Sequence, residues 1–547
     1  MRSVALGPDY AELHCKTNFS FLQGASHPDE LVYRAIELGY RALAITDHQS
    51  LAGVVRAHVA VKEAAKARAE ASGVDLSTGA MPLPIHLIIG AEIAPANGLP
   101  VVLLATDRAA YGRLSRLITV GRRRAPKGEC QLSFADIADY AEGLLALVRL
   151  PTASELRPAL PRSSADDLAA GKPAARAKGS SALWQLHRYA ALTTYRELFG
   201  DRCYALAELH YGPDDARQLE LFRRQAAEAH VPLAAAGDVH YHHPCRAVLH
   251  DVLTATRQGG TVAEVGSHRF AHARYHLKSR LEMAARFAAV PQALACTVEI
   301  ASRCHFSLDE LRYEYPEELC PAGETPLSYL IRLTWQGAAK RYPEGVPDKV
   351  RGLIEHELTL IAELRYEAYF LTVWDLVRFA RSREILCQGR GSAANSAVCY
   401  CLGVTSVDPG QLDVLFERFV SRERNEAPDI DIDFEHERRE EVLQYLYEKY
   451  GRERAGLTGV VITYRGRSAI RDAGKALGFS LPAIDRLAKS LDGRAAGLSD
   501  EALAERCADV GLSPQAREVR QLRYIVRELI GFPRHLSQHV GGLVITH

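Results

Sequence analysis

Between Glu12 and about Val239, short apolar runs alternate with amphipathic helical patterns, and this alternation restricts the fold more than any other feature. Ala42-Leu43-Ala44-Ile45-Thr46 and His86 to Ile93 read as buried strands, whereas Asp29 to Leu38 and Tyr111 to Val120 have the spacing of helices with one apolar face. Strands interleaved with helices are the signature of a layered or barrel βα fold. Leu156 to Ser181, rich in Ala, Pro, Ser and Lys and without periodicity, reads as a surface insertion. From about Arg280 to Ala380 the pattern is mostly helical. It continues through a Gly/Ser-rich turn at Gly389 to Ser396, a strand at Pro428 to Phe434, and a second helical region from Arg438 to Leu529. Gly541-Gly542-Leu543-Val544-Ile545-Thr546 begins a further strand.

Charge excludes a globally basic nucleic-acid binder, because 67 Lys and Arg balance 67 Asp and Glu. A polyanion partner would have to be met by local patches. The 11 cysteines form no Cys-x-x-Cys pair, which fits reduced thiols better than a disulfide framework or zinc ribbon. Met1 to Tyr10 has no apolar leader, and no stretch approaches ~18 uninterrupted apolar residues, so the expectation is a cytoplasmic chain that meets no membrane.

Asp429-Ile430-Asp431-Ile432-Asp433-Phe434 carries the most chemistry. On a strand, residues two apart share a face, so the three aspartates line one side and Ile430, Ile432 and Phe434 pack on the other. Carboxylates at that spacing repel unless a cation lies between them, and hard divalent ions such as Mg²⁺ take such oxygen ligands. An EF-hand counted from Asp429 places Glu440 at loop position 12, but position 6 is Phe434 where the sharp turn needs glycine. Upstream, Gly389-Arg390-Gly391-Ser392-Ala393-Ala394-Asn395-Ser396 opens onto the helix-compatible Ala397 to Leu402. Backbone N–H groups at such a junction can cradle phosphate, with Arg390 and Ser392 as added donors. Basic residues crowd the same region: Arg378, Arg381 and Arg383 before the loop; Arg418, Arg422 and Arg424 before the acidic strand; Arg465, Arg467, Arg471 and Lys475 after it. Several such clusters suit a polyanion channel.

Cys387 to Ser392, Phe416-Glu417-Arg418-Phe419 and Pro428 to Phe434 together resemble the palm of the bacterial C-family DNA polymerases, the polymerase III alpha subunits. Gly389 to Leu402, Phe416 to Glu426, His535 to Gly542 and Glu12 to Ser20 are similar to the family's error-prone, translesion paralogue. The resemblance implies a multidomain α/β chain. Its parts would be a polymerase-and-histidinol-phosphatase (PHP) distorted βα barrel over 1–285, with an insertion at about 151–185, a polymerase beta-like nucleotidyltransferase palm over 286–460, a helical thumb over 461–530, and a second, truncated part of the palm over 531–547. It also implies DNA-directed DNA synthesis in repair, in which two Mg²⁺ ions on Asp431 and Asp433 serve the attack of a primer 3′-hydroxyl on a dNTP. Asp429 is then structural, Arg390, Gly391 and Ser392 hold the triphosphate, and Arg465, Arg467, Arg471 and Lys475 contact DNA. The family's third catalytic carboxylate is expected beyond residue 547, which leads to the expectation of an inactive N-terminal fragment. Primer–template DNA, dNTPs, a sliding clamp and translesion accessory proteins are the implied partners.

For the barrel, the resemblance implies metal ligands at His14, His48, Glu92, His210, Asp238 and His240. Two departures stand out: the family's His-x-His reads His14-Cys15-Lys16, and an expected acidic ligand reads Gln23. A lysine ammonium repels a metal and can take its place beside Glu92 or Asp238. The expectation is therefore a degenerate site with Zn²⁺ or Mn²⁺ at one or two positions, or none, and His242 and His243 as surface residues. Two alternatives stay open: a PHP-type metal-dependent phosphoesterase, and a non-catalytic DNA-binding scaffold.

Overall fold

Strands whose two faces are both apolar must be covered on both sides, and here they are. In the computed structural model, which describes residues 7–73, 83–151, 192–311, 316, 320–411, 416, 420, 430–491 and 499–546, seven strands lie side by side in chain order. They are β1 (Ala11–Glu12), β2 (Ala42–His48), β3 (His86–Ile93), β4 (Val101–Ala105), β5 (Leu144–Arg149), β6 (Cys203–Glu208) and β7 (Leu233–Ala236). Ala42, Ala44, Ile88, Leu104, Leu147, Leu206 and Ala234 face one core, closed by Ile300 and Ala301 of the helix Gln292–Arg303. Their neighbours Leu43, Ile45, Leu87, Ile89, Leu103 and Ala205 face the other, against helices Pro28–Glu37, Val54–Ala71 and Arg108–Arg124. All strand pairings are parallel except those of β4, which joins β3 by a turn too short for a helix and so runs antiparallel to both neighbours. The sheet nearly closes on itself. Lys16 N–H donates to the Val239 carbonyl at 2.8 Å and Val239 N–H to the His14 carbonyl at 2.9 Å, a parallel bridge between the chain leaving β1 and the chain leaving β7. The insertion read at 151–185 lies outside the described residues, apart from Pro151.

The chain divides into two compact units, Met1–Leu311 with Val461–Ser537, and Arg312–Val460 with Gln538–His547. In the first, helices Gly466–Ala476, Leu481–Lys489, Asp500–Asp509 and Arg517–Leu529 share an apolar core with Leu249, Val252 and Leu253 of the helix Ala247–Gln258. Arg246 reinforces this by pairing with Glu528 at 2.6 Å and with Glu30.

In the second unit, helices Pro326–Arg341, Asp348–Leu364 and Glu367–Ser382 enclose a core with Ala397, Val398 and Tyr400. Gly337 permits this packing, because a Cβ there would lie 1.9 Å from the Cys401 carbonyl oxygen. The helical reading of 438–529 needs correction: after the helix Arg439–Tyr450 comes a strand, Ala455–Thr463, paired with Pro533–Ile545. Ala455-Gly-Leu-Thr-Gly-Val-Val-Ile-Thr463 combines two glycines with β-branched residues, both poor in a helix, so the flanking helical periodicity does not carry through it.

Asp375, 1% exposed, ties two helices of this unit together. Its carboxylate accepts Tyr445 Oη at 2.7 Å, Lys449 Nζ at 2.5 Å and Arg378 Nη2 at 2.7 Å. Burial pushes its pKa up, but the hydrogen bonds from Lys449, Tyr445 and Arg378 outweigh that and hold it below the usual carboxylate value. A carboxyl lowered by folding stabilises the fold above its unfolded pKa, and that contribution is lost as pH falls through the folded one. Asp375→Ala should cost about 3 kcal/mol, at the lower end for a broken buried pair because Lys449 and Arg378 are partly exposed and can rehydrate. Denaturant melts from pH 7 to pH 3 should show this loss at neutral pH and a flatter acid limb in the variant.

Candidate functional site

The acidic strand forms as its alternation requires. Strand Asp431–Phe434 pairs antiparallel with Cys387–Arg390, placing Arg390 opposite Asp431 and Gln388 opposite Asp433. Ile430 and Ile432 pack on the unit's core and Phe434 on a smaller cluster, leaving Asp431 and Asp433 exposed on the other face. Asp429 lies outside the described residues, as do Arg418, Arg422 and Arg424. The Arg390 guanidinium lies between the two carboxylates, with Nη1 3.2 Å from Asp431 Oδ2 and Nε 3.0 Å from Asp433 Oδ2. Two adjacent carboxylates that already attract a cation have the donor chemistry of a site for hard divalent ions. Gly391 turns the chain at φ +70°, where a side chain would be strained, and Ser392 follows on a short 3₁₀ turn, Gly391–Asn395.

One part of the phosphate reading fails. The N–H groups opening the helix Ala397–Cys401 are already satisfied: Ala397 N donates to Glu357 Oε1 at 2.8 Å and Val398 N to Glu357 Oε2 at 3.0 Å. Ser396 Oγ donates to the same carboxylate at 2.8 Å, and Glu357 is fully buried. An internal carboxyl group occupies the position offered to phosphate. Arg390, Gly391 and Ser392, on the turn before it, remain as candidates. Among the basic residues, Arg467 donates to the Leu491 carbonyl, Arg471 pairs with Asp485 at 3.1 Å, Arg378 with Asp375, and Arg381 with the Gly403 carbonyl. Arg465 and Lys475 are exposed.

In the barrel, the charged residues gather where the strands end. His48, Glu92 and Glu208 continue the interior-facing register of Ala44, Ile88 and Leu206 on β2, β3 and β6, and Asp238 continues that of Ala236 beyond β7. His14 Nδ1 meets Glu208 Oε1 at 2.5 Å, His48 Nδ1 meets Glu92 Oε2 at 2.8 Å, and His240 Nε2 meets Asp238 Oδ1 at 3.1 Å. His210 is more distant, with Nε2 3.7 Å from Asp238 Oδ2. His243 is exposed, whereas His242 is half-buried against Ser26, away from the surface role expected of it, and burial pushes its pKa down to about 4.

Glu208 belongs to this cluster and the sequence reading passed over it. The signal was present in Leu206-Ala207-Glu208-Leu209-His210, where Glu208 shares the interior register of Leu206. His14, Glu208 and Asp238 bring their ligand atoms within 4.8 Å of one another. Lys16 stands among them, its Nζ 3.1 Å from both His14 Nε2 and Asp238 Oδ1 and 3.6 Å from Glu92 Oε1. Burial would raise Glu92 and Asp238, but the Lys16 ammonium overrides it and holds both carboxyls well below their usual range. Burial and Lys16 push His14 down, Glu208 and Glu92 push it up more strongly, and its pKa stands at about 9.

Residues 328–547 match the bacterial DNA polymerase III alpha NTPase domain, and residues 12–205 match the PHP domain. The chain therefore carries a PHP domain and a bacterial DNA polymerase III alpha NTPase domain. Over 98% of its length it is 52% identical to an error-prone DNA polymerase of Rhodopirellula baltica, covering 43% of that protein. It is 49% identical to one of Dechloromonas aromatica and 51% identical to one of Aromatoleum aromaticum, covering 47% and 46% of them. The chain thus spans a little under half the length of the curated relatives it matches. The polymerase III alpha match contains the Arg390–Asp431–Asp433 site, and the PHP match contains His14, Lys16, His48 and Glu92. Glu208, Asp238 and His240 follow it. No helix among the described residues is long and apolar enough to cross a membrane.

Proposed function

We propose that the intact gene product is a DNA-directed DNA polymerase of the error-prone, translesion type, and that the second unit carries part of its palm. The observation that supports this most is the pairing of Asp431 and Asp433 on one exposed face, beside the Arg390–Ser392 turn, within the segment that matches the polymerase domain. Two Mg²⁺ ions bound there would activate the primer hydroxyl and neutralise the triphosphate. Asp431 and Asp433 hold that charge at a fixed spacing. Arg390, paired to both carboxylates, is long enough to turn toward a triphosphate once they are otherwise engaged. Gly391 and Ser392 admit the phosphates closely, and Arg465, Arg467, Arg471 and Lys475 contact the DNA backbone, Arg467 and Arg471 by exchanging their present partners. A sliding clamp and translesion accessory proteins are the partners this reading brings with it, and the cytoplasm its compartment.

Primer extension tests the reading. The intact gene product should extend a primed template with dNTPs and Mg²⁺ and stop in EDTA. Hydrolysis of a small phosphoester without any extension would overturn the proposal in favour of a PHP-type phosphoesterase. Salt-sensitive DNA binding with no dependence on metal or nucleotide would overturn it in favour of a scaffold.

A further inference from the structure

We infer that the Lys16 ammonium is the resident cation of the barrel, holding together a buried carboxylate cluster that contains no metal. Three carboxylates, Glu92, Glu208 and Asp238, converge with His14 where the strands end, and all are buried or nearly so. Such groups cannot stay ionised together out of water unless a cation sits among them. Lys16, with its side chain 6% exposed, supplies one. Its position is set by the backbone. The Lys16 N–H bond to Val239 and the Cys15–Val239 bridge are part of the barrel closure itself, so the side chain starts inside the cluster and is not free to swing in from the surface. A divalent ion held by His14, Glu208 and Asp238 would need each ligand atom at about 2.0–2.2 Å. With Nζ 3.1 Å from two of those three residues, the ion and the ammonium would compete for one space. The donor set fits a metal only with Lys16 removed.

The cluster also reaches beyond the barrel core. Asp238 Oδ1, which accepts from Lys16, meets His240 Nε2 as well, and His240 Nδ1 donates to the Gln23 carbonyl at 2.8 Å. His250 Nε2 meets the same carbonyl at 3.1 Å from the helix Ala247–Gln258, whose other face packs against the helices of 466–529. The cation therefore anchors the loop and helix on which that helical layer rests. This is a structural role, independent of the polymerase reading.

Metal content and melting test it in the full chain carrying Asp431→Asn and Asp433→Asn, so that the palm carboxylates hold nothing. With Lys16 present, the protein should retain no stoichiometric Zn²⁺ or Mn²⁺ after desalting, by plasma mass spectrometry. Its thermal midpoint should be the same in EDTA as with either ion. Lys16→Met in the same background should melt lower in EDTA, recover with Zn²⁺ and retain about one ion per chain, and adding Glu208→Gln should abolish the recovery. A stoichiometric ion or a metal-dependent midpoint with Lys16 in place would overturn the inference, even if the Lys16 variant does not fold. So would a Lys16→Met protein that folds and melts identically with and without metal.

Discussion

In the intact gene product, Asp433→Asn and Asp431→Asn should each lower primer extension by ~10³-fold or more, on the order of 4 kcal/mol of lost transition-state stabilisation. The two carboxylates share one exposed face of a four-residue strand and have no apolar role. An amide keeps their shape and loses the charge that binds a divalent ion. At 50% and 64% side-chain exposure, neither substitution should shift the melting midpoint. A selective loss of rate with unchanged stability separates a metal ligand from a fold determinant. Arg390→Ala provides the complementary measurement: with the competing guanidinium removed, Mn²⁺ should bind at least as tightly, while KM for dNTP rises. Normal extension with both aspartates changed would show that the chemistry lies elsewhere in the protein.

The site and the fold were legible in the sequence to different degrees, for physical reasons. Asp431 and Asp433 could be placed because strand periodicity is exact over short distances, and Ile430, Ile432 and Phe434 confirm which face is buried. The β2 and β3 runs were legible because strands apolar on both faces look unlike anything exposed. Strand Ala455–Thr463 was not, since its partner begins some seventy residues later at Pro533 and no local pattern announces that pairing. The place of Lys16 beside Glu92 and Asp238 was legible as a cation where the motif has a histidine. Glu208 was not weighed, although its register with Leu206 points it inward. Glu357 could not be found at all: a glutamate in a helix is ordinarily solvent-facing, and only the tertiary structure brings it to the start of another helix, forty residues away.

Glu357→Ala should be among the most damaging substitutions in the second unit, costing about 3–5 kcal/mol in chemical denaturation. The side chain is fully buried and receives three donors at once, Ser396 Oγ and the N–H groups of Ala397 and Val398. Truncation removes the acceptor of two buried N–H groups and opens a cavity as well. Glu357→Gln should cost less, because the amide oxygen can still accept one or two of these bonds while its NH₂ faces donors. The functional consequence follows from geometry. The bonds to Ser396, Ala397 and Val398 fix the end of the segment whose beginning holds Arg390, Gly391 and Ser392, so loosening them should raise KM for dNTP more than it lowers kcat. A glutamine variant that folds, melts several degrees lower and binds nucleotide as tightly as the wild type would show that Glu357 serves the fold alone.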